Sequence, residues 1–176
     1  IRGILDNTKL MTRSGIDYTR GLTGNVAINV TLQHKNDALA YQKISTRFSS
    51  GKGKVSKNNQ TNASGKTEID LQSVSSDQPR QQLSLFWDLE PFANKSTFAA
   101  AFLTGFEPPK AIVDLNVRNP KVYLTSTEKM FGKIRSVSQL KEHFTQVITN
   151  KGFEVSGSRK AADLVCDIVA DTKKGN

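Results

Sequence analysis

The sequence predicts an α+β protein, with an antiparallel β-sandwich first and a small strand–helix–strand–strand unit behind it. Three observations carry this. Short runs of alternating apolar and polar residues recur between residues 24 and 90, separated by turn-rich segments. The rhythm breaks across residues 91–110. After that break, one helical apolar pattern stands among strand-like runs.

Residues 1–23 have no clean period and read as a connecting segment, with room for one short strand. From residue 24 the pattern sharpens. Val26, Ile28, Val30 and Leu32 alternate with Ala27, Asn29, Thr31 and Gln33, the mark of a half-buried strand. Asn36-Asp37 signals a turn. Ile44, Thr46 and Phe48 alternate next, and Ile69 and Leu71 begin another strand. Leu83, Leu85, Trp87 and Leu89 form the strongest alternation in the chain. About four to six short strands at this spacing predict an antiparallel sandwich over residues 24–90.

Residues 91–110 read as a linker, with a helical turn near 96–103 and an end at Pro108-Pro109. Residues 111–176 read as the α/β unit. Strands are expected at 111–117 and 122–124. Ser136 is expected as a helix N-cap with Gln139 completing a capping box. Val137, Leu140, Phe144, Val147 and Ile148 then share one helical face, and Gly152 is expected as a left-handed cap after Lys151. Phe153 with Val155, and then Leu164, Cys166 and Ile168, begin strands. The sheet is expected to continue past Asn176, and the start at Ile1, without initiator Met or signal peptide, points to a mature or trimmed fragment.

Lys and Arg number 25 against 16 Asp and Glu, a formal net charge of +9. That balance favours acidic partners such as nucleic acid, anionic lipid or anionic glycan. The single cysteine, Cys166, excludes an internal disulfide and a Cys-based zinc cluster, and its apolar run predicts a buried inert thiol. No apolar run approaches the ~18 residues that span a bilayer as a helix.

Residues 64–67, Ser-Gly-Lys-Thr, are the last four letters of a phosphate-cradling loop. Such a loop needs glycine six residues before its lysine, so that successive N–H groups wrap the anion, and a helix must follow. Gln60 holds the glycine position, and the letters after Thr67 read as a strand. The stretch is therefore expected to be a turn. Its charge supports a different idea. Lys43, Arg47, Lys52, Lys54, Lys57 and Lys66 lie in a span with no acid between Asp37 and Glu68. A basic rim of this kind can grip a polyanion through salt-sensitive contacts. No aromatic residue lies among residues 49–66, which weakens a single-strand nucleic-acid reading.

Chemistry-bearing residues are sparse. His34 and His143 have neither a second histidine at helical spacing nor a nearby cysteine, so structural or solvent-facing roles are expected. Asp88 and Glu90 would share a strand face and could pair for acid–base work, but a solvated strand edge is the default. Asp163, Asp167 and Asp171 recur every four residues and read as a polar strand face rather than a cation site. Sequons at Asn29, Asn59, Asn62 and Asn94 matter only in a eukaryotic secretory protein. No catalytic, cofactor-binding or metal residues are assigned. A hydrolase-type site at the junction of the two parts, using Asp88 and Glu90, is the weakest reading.

Two resemblances add to this. Phe48, Ser50-Gly51, Gly53 and Val55, followed by Thr61, Ala63, Gly65 and Thr67 between strands, resemble the bacterial immunoglobulin-like domains of invasin-type surface proteins. The resemblance covers residues 26–89 and implies a sandwich that spaces or presents other modules. "VYLTSTEKMFG" at 122–132, "L...F...I...GFEV" from Leu140 to Val155, and "AADLVCDIVAD" at 161–171 resemble the small α/β modules of bacterial envelope assembly proteins. These include LPP20-type lipoproteins, the flagellar T-ring protein and the Tol-system β-propeller protein. Such modules imply assembly rather than chemistry. Together the two resemblances imply a non-enzymatic lipoprotein or surface-protein fragment of the bacterial periplasm, outer membrane or cell surface. Its expected partners are other envelope proteins or an anionic polymer. Polyanion binding through residues 43–66 is the alternative.

Overall fold

The computed structural model describes residues 7–56, 59–104, 106–136 and 138–173, without the side chains of Phe98 and Phe102. It is a β-rich α+β protein. The chain divides into two compact units: Ile1–Tyr18 with Thr23–Val117, and Thr19–Leu22 with Arg118–Asn176.

The first unit holds two five-stranded sheets. In one, β1 (Thr8–Thr12), β3 (Val26–His34), β8 (Lys66–Val74) and β6 (Gly53–Val55) follow in order, with β4 (Asp37–Ala38) paired to β3. The other has the order β2 (Gly15–Thr19), β10 (Lys110–Arg118), β9 (Arg80–Trp87), β5 (Lys43–Ser50) and β7 (Asn59–Gln60). All pairings recorded within these two sheets are antiparallel. One buried cluster takes Ile28, Val30 and Leu32 from β3, Ile69 and Leu71 from β8, Leu83, Leu85 and Trp87 from β9, and Val113 and Leu115 from β10. Successive side chains of a strand point to opposite faces, so burying these rows turns the alternate residues outward. Each fully buried Leu or Ile contributes about 1.5–3 kcal/mol.

The segments at 1–23 and 111–117 belong elsewhere than expected. The first is not merely a connector. β1 pairs with β3, setting Leu10 opposite Leu32, and β2 buries Tyr18. These strands are too short, with too few apolar positions, to show a period of their own. β10 does not open the back unit. It pairs with β9 and completes the front core, bringing Val113 opposite Leu83. The double proline that resembles a boundary lies one step before this pairing. The segment read as a linker carries α1 (Glu90–Ala93) and α2 (Thr97–Leu103), the latter capped by Ser96, whose Oγ accepts from Ala99 N at 3.0 Å.

The turn at 62–65 has the expected chemistry. Asn62 Oδ1 accepts from Ser64 N at 2.9 Å and from Lys66 N at 3.1 Å. Gly65 has φ +70°, and a Cβ there would stand 2.6 Å from Leu32 O. Lys66 then enters β8, a strand, so these residues form no phosphate loop.

In the second unit β11 (Lys121–Met130) is central. β12 (Lys133–Ile134) pairs with it antiparallel, and β13 (Glu154–Val155) and β14 (Leu164–Thr172) pair with it in parallel. A short 3-10 turn, Arg159–Ala161, precedes β14. The helix is α3 (Gln139–Asn150). Its N-cap is Ser138 rather than Ser136: Ser138 Oγ accepts from Lys141 N at 3.2 Å, and Gln139 is the first helical residue, so there is no capping box. Glu128 of β11 decides the matter. Its Oε1 accepts from Leu140 N at 3.0 Å and from the Ser138 hydroxyl. The Ser138 hydrogen bond is the largest influence on this carboxyl and holds its pKa below the ordinary value, although burial opposes it. At the other end Gly152 has φ +84°, and Phe153 N donates to Ile148 O while Gly152 N donates to Thr149 O, a Schellman closure.

The helix's apolar face is only partly covered. Leu140 and Ile148 are half-buried, Phe144 and Val147 are exposed, and Val137 lies outside the described residues. No helix among the described residues is long and apolar enough to cross a membrane.

Leu85→Ala removes a fully buried side chain from the row that both sheets share. It is expected to lower the stability of the first unit by about 2–5 kcal/mol. Denaturant unfolding followed by the emission of Trp87, the protein's one tryptophan, measures this. A shift within experimental error would remove the shared-core account.

Candidate functional site

The cations expected to form one basic rim do not gather on one face. Lys43 and Arg47 lie on β5 in the second sheet, whereas Lys54 lies on β6 and Lys66 on β8 in the first. Lys52 sits in the turn before β6. Its N donates to Gln81 Oε1 at 3.1 Å and its carbonyl accepts from Ser75 N at 2.7 Å, so its backbone ties the turn to the buried Gln81. Lys57 lies outside the described residues. Sequence proximity is a poor guide here because the chain crosses between sheets after β5, β6 and β7.

The second sheet does supply a cation–aromatic pairing that no local window shows. Arg47 stands over the Phe86 ring, 5.4 Å from its centroid. Lys110 is opposite Phe86 on the neighbouring strand. Exposed Ile112 is opposite Ser84, itself opposite Arg47.

Lys43 has a more specific partner. Its Nζ is 2.8 Å from Asp88 Oδ2, which also accepts from Ser45 Oγ at 2.8 Å. Asp88 Oδ1 accepts from Glu90 N at 3.0 Å. Burial by itself pushes the Asp88 carboxyl up, but the bonds from Lys43, Ser45 and the Glu90 amide together outweigh it and hold the pKa below its ordinary value. The hydrogen bond to Asp88 raises Lys43 in turn. Asp88 is therefore no solvated strand edge, and it forms no strand-face pair with Glu90. It follows the end of β9 and is buried, while Glu90 begins α1.

Two grooves meet at this margin of the first unit. One, of about 680 Å³, runs between β5 and β6 and is lined by Lys43, Thr46, Lys54 and Gln72 among others. The second, of about 520 Å³, is lined by Tyr41, Lys43, Phe92 and Lys95, with Asp88. Lys43 and Asn59 line both. Sequence reasoning missed Tyr41, Thr46, Phe92 and Lys95. Phe92 and Lys95 come from α1 and the turn after it, far along the chain from β5.

The other singled-out residues form no chemical centre. Asp163 accepts from Arg118 through two bonds, 2.6 and 2.7 Å, and from Lys121 N at 2.8 Å. These contacts hold its carboxyl far below the usual range, with the Arg118 hydrogen bond the largest cause. Asp167 accepts from the Thr125 hydroxyl, and Asp171 is in register with Lys129. Cys166 is half-buried opposite Leu124. His143 is exposed on α3 beside the Phe144 ring, and His34 keeps a buried Nδ1 without a hydrogen-bond partner at the end of β3. Among the described residues no group of three or more His, Cys, Asp or Glu side chains is placed to hold a metal ion.

No protein-family model matches the chain, and no curated protein matches it at a significant level.

The Lys43–Asp88 pair has a signed pH consequence. A carboxyl whose folded pKa is depressed stabilises the fold above its unfolded pKa, about 3.9, and loses that contribution as pH falls through the folded value. Lys43→Ala leaves burial less opposed, so the Asp88 pKa is expected to rise and the acid-side loss of stability from this group to shrink. NMR titration of the Asp88 carboxyl in both proteins measures it. An unchanged Asp88 pKa would show that Lys43 does not govern this group.

Proposed function

We propose that the protein is a non-enzymatic bacterial cell-envelope protein, of the periplasm, outer membrane or cell surface, that works by binding other envelope proteins during structural assembly. The observation that carries this reading is the second unit's β14. This nine-residue strand pairs with β11 alone among the described residues. An unpaired edge carries N–H and C=O groups that a partner's strand can complete. Val165 and Val169 are exposed on it, Val169 at 76%. Phe144 and Val147 are exposed on α3 of the same unit. Apolar surface of this kind is disfavoured in water and favours a covering partner.

The first unit supports the presenting role. In chain order, β1, β3, β8 and β6 can be taken as strands A, B, E and D, and β5, β9 and β10 as C, F and G. Sheets ordered A-B-E-D and C-F-G are those of an immunoglobulin-like sandwich. That order favours the invasin-type resemblance of residues 26–89. The β11–α3–β14 arrangement, with the Ala162-Asp163 step leading into β14, favours the resemblance to LPP20-type and T-ring modules.

Fractionation of the source cells, with cross-linking in place, tests this. The protein is expected in the envelope fraction, cross-linked through the second unit to an envelope protein. Val169→Lys is expected to leave stability within about 0.5 kcal/mol, as for an exposed position, and to remove that cross-link. Recovery in the cytosol overturns the reading, as does a cross-link unaffected by the substitution.

A further inference from the structure

We propose that the margin of the first unit along β5, β6 and β7 is a binding site for an acidic polysaccharide, a chain of uronate or sulfated sugars. The inference does not rest on the assembly reading. It rests on what the two adjoining grooves bring together.

The first element is shape. β7 covers only Lys43 and Ile44 of the eight-residue β5, and β6 is the last strand of the opposite sheet. Between these two edges the surface opens into the groove of about 680 Å³, adjoined by the one of about 520 Å³, with Lys43 and Asn59 lining both. Two adjoining grooves of this kind suit an extended chain rather than a compact ligand.

The second element is charge. Lys43, Lys54 and Lys95 line the path, against one carboxylate, Asp88. Asp88 is already engaged by Lys43 and Ser45. Lys54 and Lys95 have no carboxylate partner among the described residues, so their ammonium groups are available to anionic substituents spaced along a polymer.

The third element is a platform for sugar rings. Tyr41 is 66% exposed and Phe92 38% exposed at the end of the path. Phe92 is held in place: its ring meets Trp87 edge-on with centroids 6.3 Å apart, and Lys95 Nζ lies 5.6 Å from its centroid. Lys95 stands over the Phe92 ring, so the stacking platform for the apolar face of a pyranose is the more exposed Tyr41, with the Lys95 cation at the same end to meet an acidic group.

The fourth is an unmet polar group. The Thr46 hydroxyl, in the groove lining, is buried with no hydrogen-bond partner. Leaving such a group unsatisfied costs about 1–3 kcal/mol, so this wall of the groove holds an unmet polar group beneath its surface. Gln72 adds an amide to the same wall. The cations lining the path are lysines, with no arginine to bind phosphate in a bidentate fork, and the aromatics stand at one end instead of recurring along it. Both features favour a glycan over a single-stranded nucleic acid.

The test is calorimetric titration of the purified protein, with Trp87 emission as a second signal. The ligands are heparin and polygalacturonate, compared with neutral dextran and a single-stranded DNA oligonucleotide, at about 50 mM and about 200 mM salt. At least one acidic polysaccharide is expected to bind at low salt, more tightly than dextran or DNA, and to weaken as salt rises. Joint replacement Lys54→Ala and Lys95→Ala is expected to weaken binding by about tenfold or more at low salt. Tyr41→Ala is expected to weaken it about threefold at both salts, since stacking is little screened. Lys66→Ala, on β8 and outside the lining of both grooves, is expected to leave binding unchanged. If the double variant shows a displaced Trp87 unfolding transition, Tyr41→Ala and Lys66→Ala decide by themselves. Absence of binding to both polysaccharides at low salt overturns the proposal. So does tighter binding to the oligonucleotide, or loss on Lys66→Ala equal to that on Tyr41→Ala.

Discussion

The first unit depends on one buried row. β9 lies between β10 and β5, and its Leu83, Leu85 and Trp87 face the row that β3 and β8 offer from the other sheet. Because side chains alternate, committing this row to the interior also commits Ser84 and Phe86 to the outer surface. Arg47 reaches Phe86 only because β5 is held against β9 in a register that places Ser45 opposite Phe86 and Arg47 opposite Ser84. The surface chemistry is thus a consequence of which face was buried. A one-residue slip would put Arg47 into the core, at a desolvation cost no surface contact offsets.

The second unit is organised around a buried charge. Glu128 is held at the start of α3, where it accepts from the Ser138 hydroxyl and the Leu140 amide. The positive end of the helix and those donors stabilise its ionised form. This ties the helix start to β11 through polar contacts, while α3 itself buries no residue fully. The Arg118–Asp163 fork does similar work at the opposite end of β11, beside the entry to β14. Polar anchors stand where a small sheet covered by one helix has little apolar area to bury.

In both units a sheet edge is left where pairing stops. β7 is two residues long and leaves most of β5 uncovered on that side. β14 has a partner on one side only among the described residues. Sheets satisfy backbone groups through neighbours, so an edge is where a fold has hydrogen bonding and apolar contact still to offer. The charge distribution fits this division. The front margin mixes lysines with aromatics and amides, and the exposed β14 face alternates Val165 and Val169 with Asp167 and Asp171.

Local chemistry was legible in the sequence. The alternations at 26–32 and 83–87 mark strands because period 2 is a property of the strand itself, although the strand stops at Trp87 and Leu89 caps the helix that follows. Asn62 with Gly65, and Gly152 after Lys151, mark their turns because each position needs its own backbone geometry. Partnership was not legible. That β10 closes the front sheet, that β1 and β2 join a core, and that Glu128 moves the helix start from Ser136 to Ser138 all depend on residues far along the chain. The candidate site is of the same kind. Tyr41, Phe92 and Lys95 meet Lys43 in one groove, and Lys54 meets Lys43 in the other, only after the strands are paired, while Lys66 stands on β8 outside both. A periodic pattern states which side of a strand avoids water; which strand lies beside it is decided by long-range pairing, whose energy no short window contains.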